Sequence, residues 1–320
     1  MSLIPQAGPA TVSSVKSALI GMIGSFILFA AYLAVPPIGI FSGILAPFPA
    51  AFNRLIHGRM PAFIVTLGAT ALTTALFGLF AGCIYLGMCA VTGIFMPELL
   101  ARRYSGSRTI YWTTAANLAV LFSGVLLYSA SSGINLQQLI SAEITSSMNQ
   151  AAAIYEKSGV KGEELDLVKQ TMKTVSDLLV RLYPALITII FAIMAGCNLA
   201  LLKKAATVFQ LNLNVGEFIT FRNPDLLVWV LISSGFSMLL PSPLVTTPAL
   251  NILLLVALMY FVQGMAIVSV LISRQSISGV LRIVLYIMLL VQPYLAVLVA
   301  GIGLCDLWLD FRTPKTQENL

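Results

Sequence analysis

The chain has 320 residues, of which 58% are hydrophobic and only 9% are charged. An ordinary soluble domain carries about 25% charged residues and needs polar side chains to cover its surface, so this composition excludes a soluble globular protein. The net charge of +6 comes from 18 Lys and Arg against 12 Asp and Glu, with the basic residues in ones, twos and threes between apolar runs. That distribution argues against a nucleic-acid-binding face and is typical of cytoplasmic loops of a membrane protein.

Two membrane spans are predicted before residue 60. A helix needs about 20 apolar residues to cross a hydrocarbon layer about 30 Å thick, and residues 17–35 meet that length after Lys16. The run is too long for the apolar core of a signal peptide, so we expect an uncleaved first span. Residues 38–52 carry Pro47 and Pro49, which remove helix hydrogen bonds, and are predicted to form a kinked short span or a re-entrant segment.

The next apolar stretch, residues 61–97, carries no charge and is long enough for two tight spans. The turn between them is predicted near residues 78–82, because glycines allow chain reversal and their GxxxG spacing is typical of close helix packing. Residues 110–130 form the fifth predicted span. The number of spans between residues 36 and 97 decides on which side of the membrane the N-terminus lies.

Residues 131–181 differ from their surroundings, with five basic and six acidic residues. Within them, apolar residues recur in two stripes that indicate two amphipathic helices separated by Gly159 and Gly162. The stripes are Leu136, Ile140, Ile144 and Met148 on the first helix and Leu165, Val168, Met172, Val175, Leu179 and Leu182 on the second. We predict a helical hairpin that stands out of the membrane and packs on itself or on a partner protein.

Four further apolar runs complete the predicted fold. They are residues 182–202, 226–240, 247–272 and 281–304. The fold class is therefore all-α, a polytopic membrane protein with about nine transmembrane helices and a protruding helical hairpin. The predicted regions are an N-terminal bundle (1–130), the extracytoplasmic hairpin (131–181), a C-terminal bundle (182–312) and a polar tail (313–320). A cytoplasmic N-terminus places nearly all basic residues of the short loops in the cytoplasm, as the positive-inside rule requires.

Polar side chains inside the hydrocarbon are costly and are the natural candidates for function. Four neutral amides lie within the predicted spans, namely Asn117, Asn198, Gln263 and Gln292. They either line a cavity for a small solute or hold neighbouring helices together, through hydrogen bonds of about 0.6 to 2 kcal/mol each.

The remaining polar residues argue against several activities. No Asp, Glu, Lys or Arg lies in the middle of a predicted span, which argues against a proton-coupled transporter with a carboxylate relay. The sequence contains no HExxH motif and no serine–histidine or aspartate pair of an intramembrane protease. The four cysteines and His57 form no ligand cluster, so neither a metal site nor a cofactor is predicted. We expect no enzymatic activity.

Several motifs together carry a resemblance to a known family. They are the proline-rich block at residues 36–49, the acidic hairpin leading into Pro184 and Asn198, FRNPDLLVW at residues 221–229, QGMA at residues 263–266 and the closing G-x-x-D-x-W-x-D-F-R at residues 303–312. With these motifs the chain resembles the YybS-like family of bacterial predicted membrane proteins, whose function is unknown. The resemblance covers nearly the whole chain and implies the bacterial cytoplasmic membrane. The first half is also distantly similar to the membrane substrate-binding subunits of energy-coupling-factor vitamin transporters, a similarity of fold only.

The closing motif places several polar residues at the end of the last span. Asp306 and Asp310 are four residues apart and share a helix face, with Arg312 close enough to neutralise one of them. Trp308 suits the membrane interface. The motif either anchors the last helix at the lipid headgroups or forms a small polar site for a partner protein or a headgroup.

Two functions follow as predictions. The first is a small-solute transporter or a substrate-binding membrane subunit, with a cavity lined by the four amides. The second is a non-catalytic scaffold or assembly factor that binds a protein partner through residues 131–181. Both place the chain in the lipid bilayer, and neither involves nucleic acid.

Overall fold

A computed structural model of the protein describes residues 12–35, 39–133, 136–159, 161–211, 213, 215–275, 279–309 and 311–312. Regular structure in these ranges is helical, and no β-strand occurs in them. The helices are α1 (Val12–Ala34), α2 (Gly39–Leu45), α3 (Phe48–Ile56), α4 (Arg59–Phe77), α5 (Leu79–Ala90), α6 (Met96–Ala101), α7 (Gly106–Ser132), α8 (Leu136–Lys157), α9 (Glu163–Val208), α10 (Leu227–Ser237), α11 (Pro243–Arg274), α12 (Gly279–Val291) and α13 (Pro293–Cys305). A π-helical segment, Val91–Phe95, joins α5 to α6, and a 3-10 turn lies at Phe218–Thr220.

The helices confirm the all-α polytopic membrane class. Seven helical segments of the described chain are long and apolar enough to cross a membrane. They are Ser13–Ala34, Gly39–Ile56, Arg59–Phe77, Leu79–Ala101, Gly106–Ser131, Glu163–Val208 and Pro243–Arg274. A broken pair, Gly279–Leu289 with Pro293–Cys305, gives an eighth if it counts as one span.

The difference from the predicted nine spans arises near the C-terminus. Residues 226–240 form only the eleven-residue α10, which is about 16 Å long and too short to cross, because the helix ends before Pro241 and Pro243. Residues 281–304 contain a bend of 96° between α12 and α13. Pro293 explains the break, since it forces Gln292 before it into an extended backbone conformation.

The structure resolves the early proline-rich block into a broken helix. Residues 39–56 form α2 and α3, separated at Ala46 and Pro47, as the kinked second span predicts. The predicted turn in residues 61–97 is also confirmed, because α4 ends and α5 begins at Gly78, whose φ of +89° favours glycine. Gly82 then approaches α4 so closely that a Cβ atom would lie 1.9 Å from Thr74 Oγ1.

The predicted hairpin helices are present as α8 and the first part of α9. The described residues of their apolar stripes are half-buried, except Val175, which is exposed. Ala152 on α8 and Ser176 on α9 are buried, and Lys169 Nζ lies 3.8 Å from Glu156 Oε2. The location of the hairpin outside the membrane stays a prediction.

The chain divides into two compact units. Unit 1 comprises Met1–Leu139 and Ile190–Gly216, and unit 2 comprises Ile140–Ile189 and Glu217–Leu320. Helix α9 contributes its first part to unit 2 and its last part to unit 1. The predicted regions divided at residues 130 and 181 stay a prediction.

Unit 1 has an apolar core built from α3, α6 and the end of α9. Ala51, Leu55, Met96, Leu100, Leu199, Leu202 and Ala206 form this cluster and are nearly inaccessible to solvent. A second cluster joins Phe29 of α1 to Tyr85 and Cys89 of α5. These side chains fix α7 and the π-helical segment, which carry the polar residues described below.

Unit 2 is organised around the crossing of α11 and α13. At this crossing Gly264 and Gly303 bring the two backbones into contact. A Cβ atom on Gly303 would lie 2.0 Å from the Tyr260 carbonyl oxygen, and one on Gly264 would lie 1.9 Å from the Val299 carbonyl oxygen. Only glycine fits at either position, because backbone atoms cannot move aside as a flexible side chain can.

Candidate functional site

The four predicted amides occupy different environments. Asn117 and Asn198 belong to unit 1 and are fully buried. Gln263 belongs to unit 2 and is also fully buried, whereas Gln292 is exposed at the break between α12 and α13.

Asn117 makes contact with the π-helical segment. Its Nδ2 donates to Thr92 Oγ1 at 3.1 Å and to the Thr113 carbonyl at 2.9 Å. Its Oδ1 is buried and has no hydrogen-bond partner among the described residues. A π-helical turn contains one more residue than an α-helical turn and is frequent at functional sites. In this segment Gly93 lies so close to α3 that a Cβ atom would be 2.8 Å from Ala50 Cβ.

The inward face of α7 carries a row of polar side chains. Thr109, Thr113 and Asn117 follow one another at four-residue steps, which places them on one face of the helix, and all three are fully buried. The hydroxyl oxygens of Thr109 and Thr113 have no hydrogen-bond partner within the described chain. A buried polar stripe on an otherwise apolar helix is unusual, because most buried polar groups in native proteins are hydrogen-bonded.

Asn198 of α9 binds the end of α2, next to the break between α2 and α3. Its Nδ2 donates to the Ile44 carbonyl and to the Met194 carbonyl, both at 2.7 Å. Ile44 lies in the last turn of α2, where carbonyl groups lack partners within the helix. The Asn198 Oδ1, like that of Asn117, is buried without a partner in the described part of the chain.

One end of unit 1 carries its charged residues. Glu98 of α6 accepts hydrogen bonds from the buried Arg54 and, at 2.7 Å, from the exposed Arg59. Glu98 is the only acidic residue in the sequence of this unit. The other basic residues at this end are exposed and are Lys16, Arg102, Arg103, Arg108, Lys203 and Lys204. The pairing of Arg54 with Glu98 joins α3 to α6 between residues 44 apart in the chain, and opposite charge was the signal for it in the sequence.

The closing motif forms a polar cluster in unit 2. Asp306 is buried, and its Oδ2 lies 3.2 Å from an Arg312 nitrogen, so the two side chains form an ion pair. Gln263 Nε2 donates to the same carboxylate at 3.0 Å, and Gln263 Oε1 accepts from the Asn223 backbone N–H at 2.9 Å. Three separate motifs of the sequence, at residues 221–229, 263–266 and 303–312, therefore meet at one place.

Arg312 also binds the segment that precedes α10. It donates to the carbonyls of Ile219 and Phe221 at 2.9 and 2.7 Å, and the Arg312 carbonyl accepts from Arg274. These partners all belong to the protein, so the cluster fastens the segment at residues 218–223 to α11 and α13. Trp308 is exposed, as an interfacial residue requires, and Asp310 lies outside the described residues.

Asn251 of α11 is a buried amide that was not predicted from the sequence. It lies beside Pro184 in α9, where the Ala185 N–H donates to Asn251 Oδ1 at 2.9 Å. Asn251 Nδ2 donates to the carbonyls of Arg181 and Thr247, both at 2.8 Å. The available signal was Pro184, because a proline inside a helix leaves backbone groups that a neighbouring polar side chain must satisfy.

In the described ranges, no group of three or more His, Cys, Asp or Glu side chains is placed to hold a metal ion. The model of a family described as predicted membrane protein (DUF2232) matches residues 24–307, from α1 to the end of α13. No curated protein and no solved structure matches the chain. The similarity to YybS-like proteins and to energy-coupling-factor subunits stays a prediction, and the chain belongs to the DUF2232 family of predicted membrane proteins.

Proposed function

We propose that this membrane protein is a transporter or a substrate-binding membrane subunit that takes a small neutral solute into the polar interior of unit 1. The observation that supports this function is the set of buried oxygens without protein partners on Thr113, Asn117 and Asn198. A buried polar group left unsatisfied costs about 1–3 kcal/mol, so three cost about 3–9 kcal/mol. That cost is comparable to the whole stability of a typical domain, and a bound solute would remove it.

The chemistry of these oxygens selects the class of solute. The two amide oxygens can only accept hydrogen bonds, because a carbonyl oxygen carries no hydrogen, and both amide nitrogens already donate to the protein. The solute should therefore carry N–H or O–H donors. A charged solute is disfavoured, because the single acidic residue of unit 1, Glu98, is at one end and is already paired with Arg54 and Arg59. No reactive group is assigned, so the proposed role is not enzymatic.

Retention of a solute tests this function. Purified wild-type protein, released from detergent into a native mass spectrometer, should carry a small molecule. Asn117→Leu removes the acceptor while keeping the branching of the side chain, and it should abolish retention. Gln292→Ala is the matched control, because it removes an exposed amide and should retain the molecule. Equal retention by wild type and Asn117→Leu would contradict a site at Asn117.

A scaffold role for the hairpin is the second candidate, and exposed apolar side chains favour it. Ile154 and Tyr155 on α8 and Leu167 and Leu178 on α9 are exposed on a segment rich in charged residues. Deleting residues 133–162 should abolish capture of a protein partner by a scaffold, while a transporter should keep its solute. Loss of the solute with intact partner capture would favour transport alone.

The distribution of charge supports an orientation. We place the basic end of unit 1 in the cytoplasm of a bacterial cell, because positively charged loops are retained on that side of the cytoplasmic membrane. A cysteine at position 103 should then react with an impermeant thiol reagent only after the membrane is opened. A cysteine at position 133 should react in intact cells. The reverse pattern would contradict this orientation.

A further inference from the structure

The long helix α9 has a break in its hydrogen-bond ladder at Pro184. Proline has no backbone N–H, so the Val180 carbonyl loses the donor that an α-helix normally supplies from four residues later. The ring also disturbs the preceding turn, which weakens the next bond, from the Ala185 N–H to the Arg181 carbonyl. The helix nevertheless continues from Glu163 to Val208.

The carboxamide of Asn251 binds both ends of this second bond. Its Oδ1 accepts from the Ala185 N–H at 2.9 Å, and its Nδ2 donates to the Arg181 carbonyl at 2.8 Å. The amide thus bridges the Ala185 N–H and the Arg181 carbonyl. Side chains inserted between hydrogen-bonded groups of a helix are a recognised cause of kinks.

Two arrangements of this rung differ by one hydrogen bond. With the amide inserted, Ala185 and Arg181 bond through Asn251. With the amide withdrawn, Ala185 can bond Arg181 directly, and Asn251 Nδ2 keeps its bond to the Thr247 carbonyl at 2.8 Å. On withdrawal the Asn251 Oδ1 loses its donor, and an interhelical amide bond within a membrane contributes about 0.6–2 kcal/mol, so the withdrawn arrangement is the minor one by about that free energy.

The side chain of Arg181 holds the inserted arrangement weakly. It donates to Thr246 Oγ1 at 3.3 Å and to Thr247 Oγ1 at 3.4 Å, both long hydrogen bonds at an exposed position. These bonds join the turn before Pro184 to the start of α11. They can break without leaving a buried charge, because Arg181 is already in contact with solvent.

We propose that Pro184 and Asn251 form a hinge in α9, which bends when the Asn251 carboxamide is inserted and straightens when it withdraws. The moving part is the arm at residues 163–183, and the fixed reference is α11. The arm carries the exposed apolar residues Leu167 and Leu178, so a molecule that binds the hairpin would shift the hinge. The hinge does not depend on solute binding in unit 1.

Distances between spin labels test the hinge in the full-length protein. The four natural cysteines are replaced by alanine, and labels are attached at Leu167→Cys on the arm and Ile252→Cys on α11, which are both exposed. Leu167 lies 17 residues before Pro184, about 25 Å along the helix. A change in bend of about 20° moves Leu167 by about 9 Å, which pulsed electron–electron double resonance resolves readily.

The wild type is expected to show two distance populations. Pro184→Ala restores the helix's own bonds and should leave only the straight population, and Asn251→Ala should give that same population. Asn149→Ala, which removes an exposed amide on α8, should keep both populations. A single wild-type population, whether or not the variants shift it, would show a static contact and overturn the hinge. If Asn251→Ala does not fold, Pro184→Ala decides alone, since it needs no partner residue.

Discussion

Removing the carboxylate of Asp306 should destabilise unit 2, because the Arg312 guanidinium would lose its negatively charged partner in a largely buried place. The side chain of Asp306 is 4% exposed and that of Arg312 is 19% exposed. Breaking a buried ion pair costs about 3–5 kcal/mol, and Arg312 retains two carbonyl acceptors, so the lower end applies. We expect Asp306→Ala to lower the free energy of unfolding by about 3 kcal/mol.

The interaction between the two side chains can be separated from their other contacts by a double-mutant cycle. Arg312→Met also removes the bonds to Ile219 and Phe221, but that loss appears in both halves of the cycle and cancels. The double variant should therefore cost less than the sum of the single variants by about 2 kcal/mol or more, because no unpaired charge remains.

Reversible unfolding in mixed detergent micelles, followed by circular dichroism, measures these free energies. Asp225→Ala is the matched control, because Asp225 and Arg222 form an exposed pair at 3.8 Å whose loss should cost less than about 1 kcal/mol. Additivity of Asp306→Ala and Arg312→Met within about 0.5 kcal/mol would refute the coupling described here.

Two further pairs of substitutions test the helix contacts. Gly303→Ala should lower the free energy of unfolding by about 1–3 kcal/mol, because its Cβ would meet a backbone carbonyl of α11. Gly301→Ala in the same helix would meet no atom within 4 Å and should be neutral or stabilising. Equal effects of the two substitutions would contradict the close crossing of α11 and α13. Glu98→Ala should cost about 3 kcal/mol or more, because it leaves the buried Arg54 unpaired, while Arg59→Ala at the exposed side of the same trio should cost less than about 1 kcal/mol. The same unfolding assay measures both pairs, and a larger effect of Arg59→Ala would contradict this assignment.

The membrane class and most spans could be predicted from the sequence, because both depend on the length of apolar runs. Residues 226–240 show the limit of that signal. Their apolarity suits a span, yet the helix that forms there has eleven residues. Hydropathy averages over a window, and it does not record where the two prolines end the helix.

The positions of polar residues could be predicted, but their partners could not. Gln263 and Asp306 were identified separately, and their hydrogen bond joins residues 43 apart in the chain. Asn251 was missed because it lies 66 residues from Ala185, whose N–H it accepts, and a single sequence does not show that the two residues meet. A single sequence shows which residues are polar, but the contacts between these residues depend on how the helices cross.

The most direct test of the proposed solute site is native mass spectrometry of the purified full-length protein alongside Asn117→Leu and Gln292→Ala. We predict a retained small neutral molecule with N–H or O–H groups in the wild type and in Gln292→Ala, and none in Asn117→Leu. A wild-type protein that carries no such molecule, when isolated from membranes in mild detergent, would contradict solute binding in unit 1.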